Sequence, residues 1–251
     1  MDGHKLPRAV IFDLDGTLAE SKSEMKNEMG EALAELLKKI PSAIMSGGSF
    51  PQFQKQLLPF FPTDTLLEKL FLFPTSASSC YVYKNGAWHV SYTDAFSEEE
   101  KARVFSAFDE AIKESSFTTP LKLWGPQLED RGSQITFSAL GQSAPVEEKR
   151  AFDPDRTKRL PLQTALIKRL SGFSVKVNAH SSIDVTKEGV NKAYGVRRFS
   201  EMLEVPIKDI LYIGDALFPG GNDEIVKETG IPTQPVADPQ ETLAYIRGFL
   251  Q

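Results

Sequence analysis

The chain has 251 residues, 41% of them hydrophobic and 25% charged, with a net charge of −5 and an isoelectric point near 5.4. That length admits one large domain or two smaller ones, and the apolar share is ordinary for a protein with a real core. The acidic balance excludes nucleic acid as a default partner, because binding a phosphate backbone needs concentrated positive charge, although one local Lys/Arg cluster can still hold a phosphorylated small molecule. The single cysteine, Cys80, excludes an internal disulfide framework and reads as a small buried hydrophobe. Met1-Asp2-Gly3-His4-Lys5 shows no apolar leader, and no run reaches the roughly 18 apolar residues that cross a membrane. The expectation is a soluble cytoplasmic protein.

In chain order, Arg8-Ala9-Val10-Ile11-Phe12 is a short apolar run that stops at Asp13, as a strand buried on both faces does. Residues 21–39 carry Met25, Met29, Leu33, Leu36 and Leu37 on one helical stripe. A second strand follows at Ser42-Ala43-Ile44-Met45, ends in Ser46-Gly47-Gly48-Ser49, and leads into a helical pattern over 53–58. This alternation predicts a parallel α/β sheet with right-handed crossovers. The pattern changes near residue 80, where Tyr81-Val82-Tyr83 and Trp88-His89-Val90 flank Asn85-Gly86. Both turn residues accept positive φ, which marks a hairpin. A charged helix over 97–115, strands at 134–137 and 173–177, and a helix over 157–170 between them lack strict alternation and predict an inserted α+β module. From Gly189 the α/β rhythm returns: a helix over 191–203, the strand Ile210-Leu211-Tyr212-Ile213 ending at Gly214-Asp215, a strand over 233–236 and a helix over 239–250. The predicted organisation is a Rossmann-like α/β core of residues 1–83 and 188–251, with an α+β cap over 84–187.

Asp13 falls where the first strand ends, and in open α/β sheets ligands bind off the carboxyl ends of the strands. Asp13 and Asp15, separated by one residue, point the same way in extended backbone and converge on one small volume. Such a pair can bind a hard cation through oxygen and can divide nucleophile and acid–base roles. Gly16 lets the chain turn sharply beneath them, and Thr17 adds a hydroxyl.

The full string Asp13-Leu14-Asp15-Gly16-Thr17-Leu18 resembles the first motif of the haloacid dehalogenase superfamily of phosphatases and phosphomutases. The superfamily's other motifs fall in order along the chain. Ser46 closes the second strand, Lys192 opens a later helix, and Asp215 with Asp223 forms the acidic pair after an apolar strand. The resemblance implies Mg2+ held by the Asp13 carboxylate, the Asp15 backbone carbonyl and Asp215, with Asp223 either reaching the metal through water or orienting Lys192. It implies that Asp13 attacks phosphorus, that Asp15 protonates the leaving oxygen, that Lys192 offsets negative charge, and that Ser46, Gly47 and Gly48 hold phosphate oxygens. The chemistry is sound on its own terms: an ionised aspartate can form an acyl phosphate, and phosphoryl transfer needs chiefly positioning and charge neutralisation.

A closer resemblance, to the eukaryotic-type phosphomannomutase group of subfamily IIB, rests on the string from Gly214 to Asp223 with its Pro219-Gly220-Gly221-Asn222, on Gly47-Gly48-Ser49-Phe50, and on Ser182-Ile183-Asp184-Val185. It implies a type C2 cap whose Ser182 and Asp184 meet sugar hydroxyls and phosphate, and whose arginines grip a distal phosphate. Arg131 keeps the first of those arginines, while Gln142 and Lys149 stand where the second and third would be. Gln142 supplies neither charge nor a bidentate fork, and Lys149 offers only a point charge. The expectation is therefore a sugar-phosphate phosphatase acting on a small phosphorylated metabolite. Phosphomannomutase is the alternative and a non-catalytic phosphosugar-binding module the third reading, with a homodimer through the cap left open.

Overall fold

A computed structural model describes residues 6–21, 23–178 and 180–251. Residues 1–5, Lys22 of the expected first helix, and Ala179 lie outside the described residues. The elements run β1 (Ala9–Asp13), α1 (Asn27–Lys39), β2 (Ser42–Met45), α2 (Phe50–Gln56), β3 (Leu70–Phe73), β4 (Ser79–Lys84), β5 (Ala87–Thr93), α3 (Glu98–Glu114), β6 (Leu128–Asp130), β7 (Ile135–Ser138), α4 (Val146–Phe152), α5 (Leu160–Arg169), β8 (Phe173–Asn178), β9 (Ser182–Lys187), α6 (Lys192–Leu203), β10 (Ile210–Gly214), β11 (Thr233–Pro235) and α7 (Pro239–Leu250).

The chain forms two compact units, one built from the chain through Thr93 together with Asn191–Gln251, the other from Asp94–Val190. The first is a seven-stranded sheet in the order β11-β10-β1-β2-β3-β4-β5. It is parallel from β11 to β3 and antiparallel through β4 and β5. Alternate residues of β1 serve opposite faces: Val10 and Phe12 pack with α1 and α7 residues such as Leu33, Leu36, Leu243 and Ile246, while Ala9 and Ile11 pack with Val196 and Phe199 of α6. Burial on both sides is what makes the central strands continuous apolar runs. Every parallel strand therefore ends at the same edge, and that edge holds Asp13, Ser46 and Asp215.

The predicted hairpin forms, with Asn85 at φ 52° and Gly86 at φ 79°. Its second strand pairs with β4 as far as Ser79↔Thr93, so it belongs to the first sheet, beyond the expected core boundary at residue 83. Helix α1 begins at Asn27, later than the apolar stripe suggests. The Met25 amide donates instead to the Gln56 carbonyl at 2.8 Å, so Met25 is buried by a long-range tie outside any helix.

The second unit is a four-stranded antiparallel sheet, β6-β7-β9-β8, with α3 and α5 on one face. Ile135, Phe137, Val175, Ile183 and Val185 meet Val104, Phe108, Leu162 and Leu166 there. The alternate positions Thr136, Ser138, Ser182, Asp184 and Thr186 give the sheet a polar opposite face, as the two-residue period requires. Helix α3 starts at a capping box in which Ser97 and Glu100 exchange side-chain and backbone bonds. No helix among the described residues is long and apolar enough to cross a membrane.

Candidate active site

In the first unit, three segments that are far apart in sequence deliver charge to one place. Asp13, the last residue of β1, is 3% exposed; Lys192, the first residue of α6, is 4% exposed; Asp223, in the loop after β10, is fully buried. Lys192 Nζ donates to Asp13 Oδ1 and, at 2.5 Å, to Asp223 Oδ1. Asn191 caps α6 by accepting from the Tyr194 amide at 3.1 Å, which fixes where the helix starts and hence where Lys192 emerges. Asp215 follows β10 and is held by Thr17, whose hydroxyl donates to Asp215 Oδ1 at 3.3 Å and accepts from the Asp215 amide at 3.0 Å. Gly16, at φ +86°, makes this approach possible, because a Cβ there would sit 2.5 Å from Asp215 Oδ2.

Carboxylate oxygens of Asp13, Asp215 and Asp223 lie within 4.8 Å of one another. Burial pushes the Asp13 carboxyl well above its ordinary value; the Lys192 ammonium opposes the rise, and Asp223 and Asp15 add to it. Asp215 is raised for the same first reason, with Asp223 second. Burial alone would lower Lys192, but Asp13 and Asp223 outweigh it and hold the ammonium charged. Three carboxylates thus face one cation. The donor set is all oxygen and the local charge is short of balance, so a hard divalent cation fits both the ligand chemistry and the missing charge.

Ser46 follows β2 and is buried; its hydroxyl accepts from the Gly48 amide at 3.0 Å and reaches Asp15 Oδ2 at 3.5 Å, the outer limit of a hydrogen bond. The structure therefore brings Asp13, Asp15, Ser46, Gly48, Lys192, Asp215 and Asp223 together at one sheet edge. Two supporting features escape the sequence. The loop carrying Ser46 is tied to Thr75, Ser76 and Ala77, three consecutive non-glycine residues with φ of 52°, 56° and 67°. The Thr75 and Ser76 amides donate to the carbonyls of Gly48 and Ser46 at 2.8 and 2.9 Å, a left-handed turn that costs roughly 1–2 kcal/mol per residue. The other feature is Tyr212, whose hydroxyl donates to Asp223 Oδ1 at 2.5 Å. Burial, then the charges of Asp223 and Asp13, push its phenol well above the ordinary value, so it stays a donor. A hydroxyl inside an apolar strand needs a buried partner, and that was the available signal.

In the second unit, the expected substrate residues are engaged within their own unit. Asp184 accepts from the Thr136 hydroxyl at 2.9 Å and from the Asn178 amide at 2.8 Å. The Gln142 side-chain amide donates to the backbone carbonyls of Gln127 and Thr136, at 2.9 and 3.1 Å. Lys149, buried, donates to the Gln142 carbonyl at 2.8 Å. Arg131 lays Nε and Nη2 on Glu129 Oε2, at 2.9 and 2.7 Å. Ser182 lends its carbonyl to Arg159 Nη1 at 3.0 Å.

A largely parallel sheet with a buried aspartate, a helix-borne lysine and an acidic pair at its carboxyl edge, together with the family match, marks an enzyme of the haloacid dehalogenase superfamily. The family profile described as eukaryotic phosphomannomutase matches residues 29–251, and the chain belongs to that family. A phosphomannomutase of Encephalitozoon cuniculi is 28% identical over 247 residues, covering 92% of this chain and 89% of its own length. Phosphomannomutase 2 of Dictyostelium discoideum is 26% identical over 247 residues, covering 95% of each. Among solved structures, an N-terminally truncated IMP-nucleotidase of Plasmodium falciparum gives a TM-score of 0.71 at 16% identity, over 97% of this chain and 70% of that one, a likeness of fold.

Proposed function

We propose that this chain is a phosphomutase of the phosphomannomutase type, moving a phosphoryl group on a hexose phosphate through an aspartyl phosphate at Asp13. The observation that carries it is the buried Asp13 carboxylate under Lys192, beside the carboxylates of Asp215 and Asp223. Asp13 attacks phosphorus in line, forming the acyl–phosphate bond as the sugar oxygen leaves with a proton from Asp15. Asp15 then takes a proton from the incoming hydroxyl as the acyl phosphate breaks. Lys192 balances charge gathered on Asp13, and Ser46 with the amides of Gly47 and Gly48 holds phosphate oxygens. The Asp13 and Asp215 carboxylates and the Asp15 carbonyl would hold magnesium, which when bound would neutralise phosphate charge.

The sequence favours hydrolysis, whereas relatives named as phosphomannomutases along nearly the whole chain favour the mutase. Hydrolysis stays as the second reading on one observation: the Gln142 amide is engaged by the carbonyls of Gln127 and Thr136, so it offers no fork to a distal phosphate. Product analysis separates them. With mannose 1-phosphate and a hexose bisphosphate, the mutase yields mannose 6-phosphate in a bisphosphate-dependent manner, well ahead of inorganic phosphate. Phosphate release that outruns isomer formation assigns the protein to hydrolysis.

A further inference from the structure

Tyr212 lies in the middle of β10, fully buried, with the aliphatic Leu211 and Ile213 on either side of it. Phenylalanine would fill that space equally well, so the hydroxyl is what distinguishes the residue. It donates at 2.5 Å to Asp223 Oδ1, the same oxygen that accepts from Lys192 at 2.5 Å, while Asp223 Oδ2 accepts from the Ala216 amide at 3.2 Å. Asp223 is thus fixed by donors from a strand, a loop and a helix. Gly214 lets the two side chains meet: a Cβ there would lie 2.5 Å from Asp223 Oδ2 and 2.9 Å from Tyr212 Cε1.

We propose that Tyr212 is a positioning residue for phosphoryl transfer, holding Asp223 Oδ1 so that the Lys192 ammonium bridges Asp13 and Asp223. The inference rests on the proposed role of Asp13 and Lys192. With the hydroxyl present, Asp223 shares its charge between two donors and Lys192 keeps a full contact with the nucleophile. Without it, Lys192 becomes the only side-chain donor to that oxygen among the described residues and is drawn toward Asp223, away from Asp13.

The test is Tyr212→Phe in the full chain, assayed with magnesium on an aryl phosphate, whose leaving group needs no proton and whose phosphoryl group passes through Asp13 to water. We expect kcat to fall about ten- to a hundredfold, the equivalent of one hydrogen bond to a charged group, with KM unchanged. A merely structural role would lower the melting temperature and the folded fraction but leave kcat per folded molecule intact, and that result, or an unchanged kcat, overturns the proposal. Crystal structures of the native and variant proteins decide it independently of turnover. Lys192 Nζ should move off Asp13 toward Asp223 in the variant, and two unchanged contacts overturn the inference. Native protein inactive on both aryl and hexose phosphates would instead defeat the proposed function, leaving the crystallographic comparison to judge Tyr212.

Discussion

The two units each bury charge, and they balance it in opposite ways. In the inserted unit, Asp153 and Arg159 have wholly buried side chains joined Nε to Oδ2 at 2.6 Å. The guanidinium also donates to the carbonyls of Asn178, Ser182 and Asp153, and the Asp153 carboxylate also accepts from the Lys158 and Arg159 amides. One charge meets one charge, and each guanidinium nitrogen has an acceptor. At the sheet edge of the other unit, one ammonium faces Asp13, Asp215 and Asp223. A saturated buried pair is architecture; a buried cluster with carboxylates in excess lacks the positive charge that a cation would supply. Burial marks both, and the charge count tells them apart.

Removing magnesium should have the largest effect. In chelator-treated protein, turnover should fall to background and return with magnesium, because the open cluster supplies hard oxygen ligands. Full activity after chelation, or rescue by zinc alone, would break the comparison. The closed pair should respond in stability. Arg159→Met leaves Asp153 buried and uncompensated, and denaturant unfolding should show a loss of about 3–5 kcal/mol. The double change Asp153→Leu with Arg159→Met should recover most of it; equal losses in the single and double variants would mean that packing, and not charge, governs the site. The smallest effect belongs to charge that is only half buried. Arg247 and Glu28 join α7 to α1 at 2.6 Å with both side chains about half exposed. Arg247→Ala should cost about 0.5 kcal/mol or less by the same measurement. A loss as large as that of Arg159→Met would show that burial is not what separates these pairs.

Much of the core is legible in the sequence because its strands are apolar runs with a fixed stop and its helices keep a 3.6-residue stripe. Helix α7 is readable to the residue, since Asp238 caps it and Pro239 opens it. Strand β3, Leu-Phe-Leu-Phe, is not, because a four-residue apolar run carries no period that distinguishes strand from helix. The same contrast holds for the site. Asp13, Ser46, Lys192 and Asp215 sit at strand or helix ends, where local pattern and motif order point at them. Arg159 stands in Lys158-Arg159 beside other charged residues and reads as a solvated face; its burial depends on Asp153 and on carbonyls of β8 and β9 that no local pattern supplies. Tyr212 is hidden for a related reason: its partner returns across the Pro219-Gly220-Gly221 loop.

The central claim is a covalent bond, and trapping it is the most direct test. Native protein mixed with magnesium and a hexose bisphosphate, then quenched in acid and digested, should yield the peptide containing Asp13 heavier by one phosphoryl group. The adduct should be lost on treatment with hydroxylamine, as an acyl phosphate is, and should be absent from Asp13→Asn, which keeps the fold but offers an amide in place of the nucleophile. A label on another residue, or one that persists in Asp13→Asn, would contradict the account.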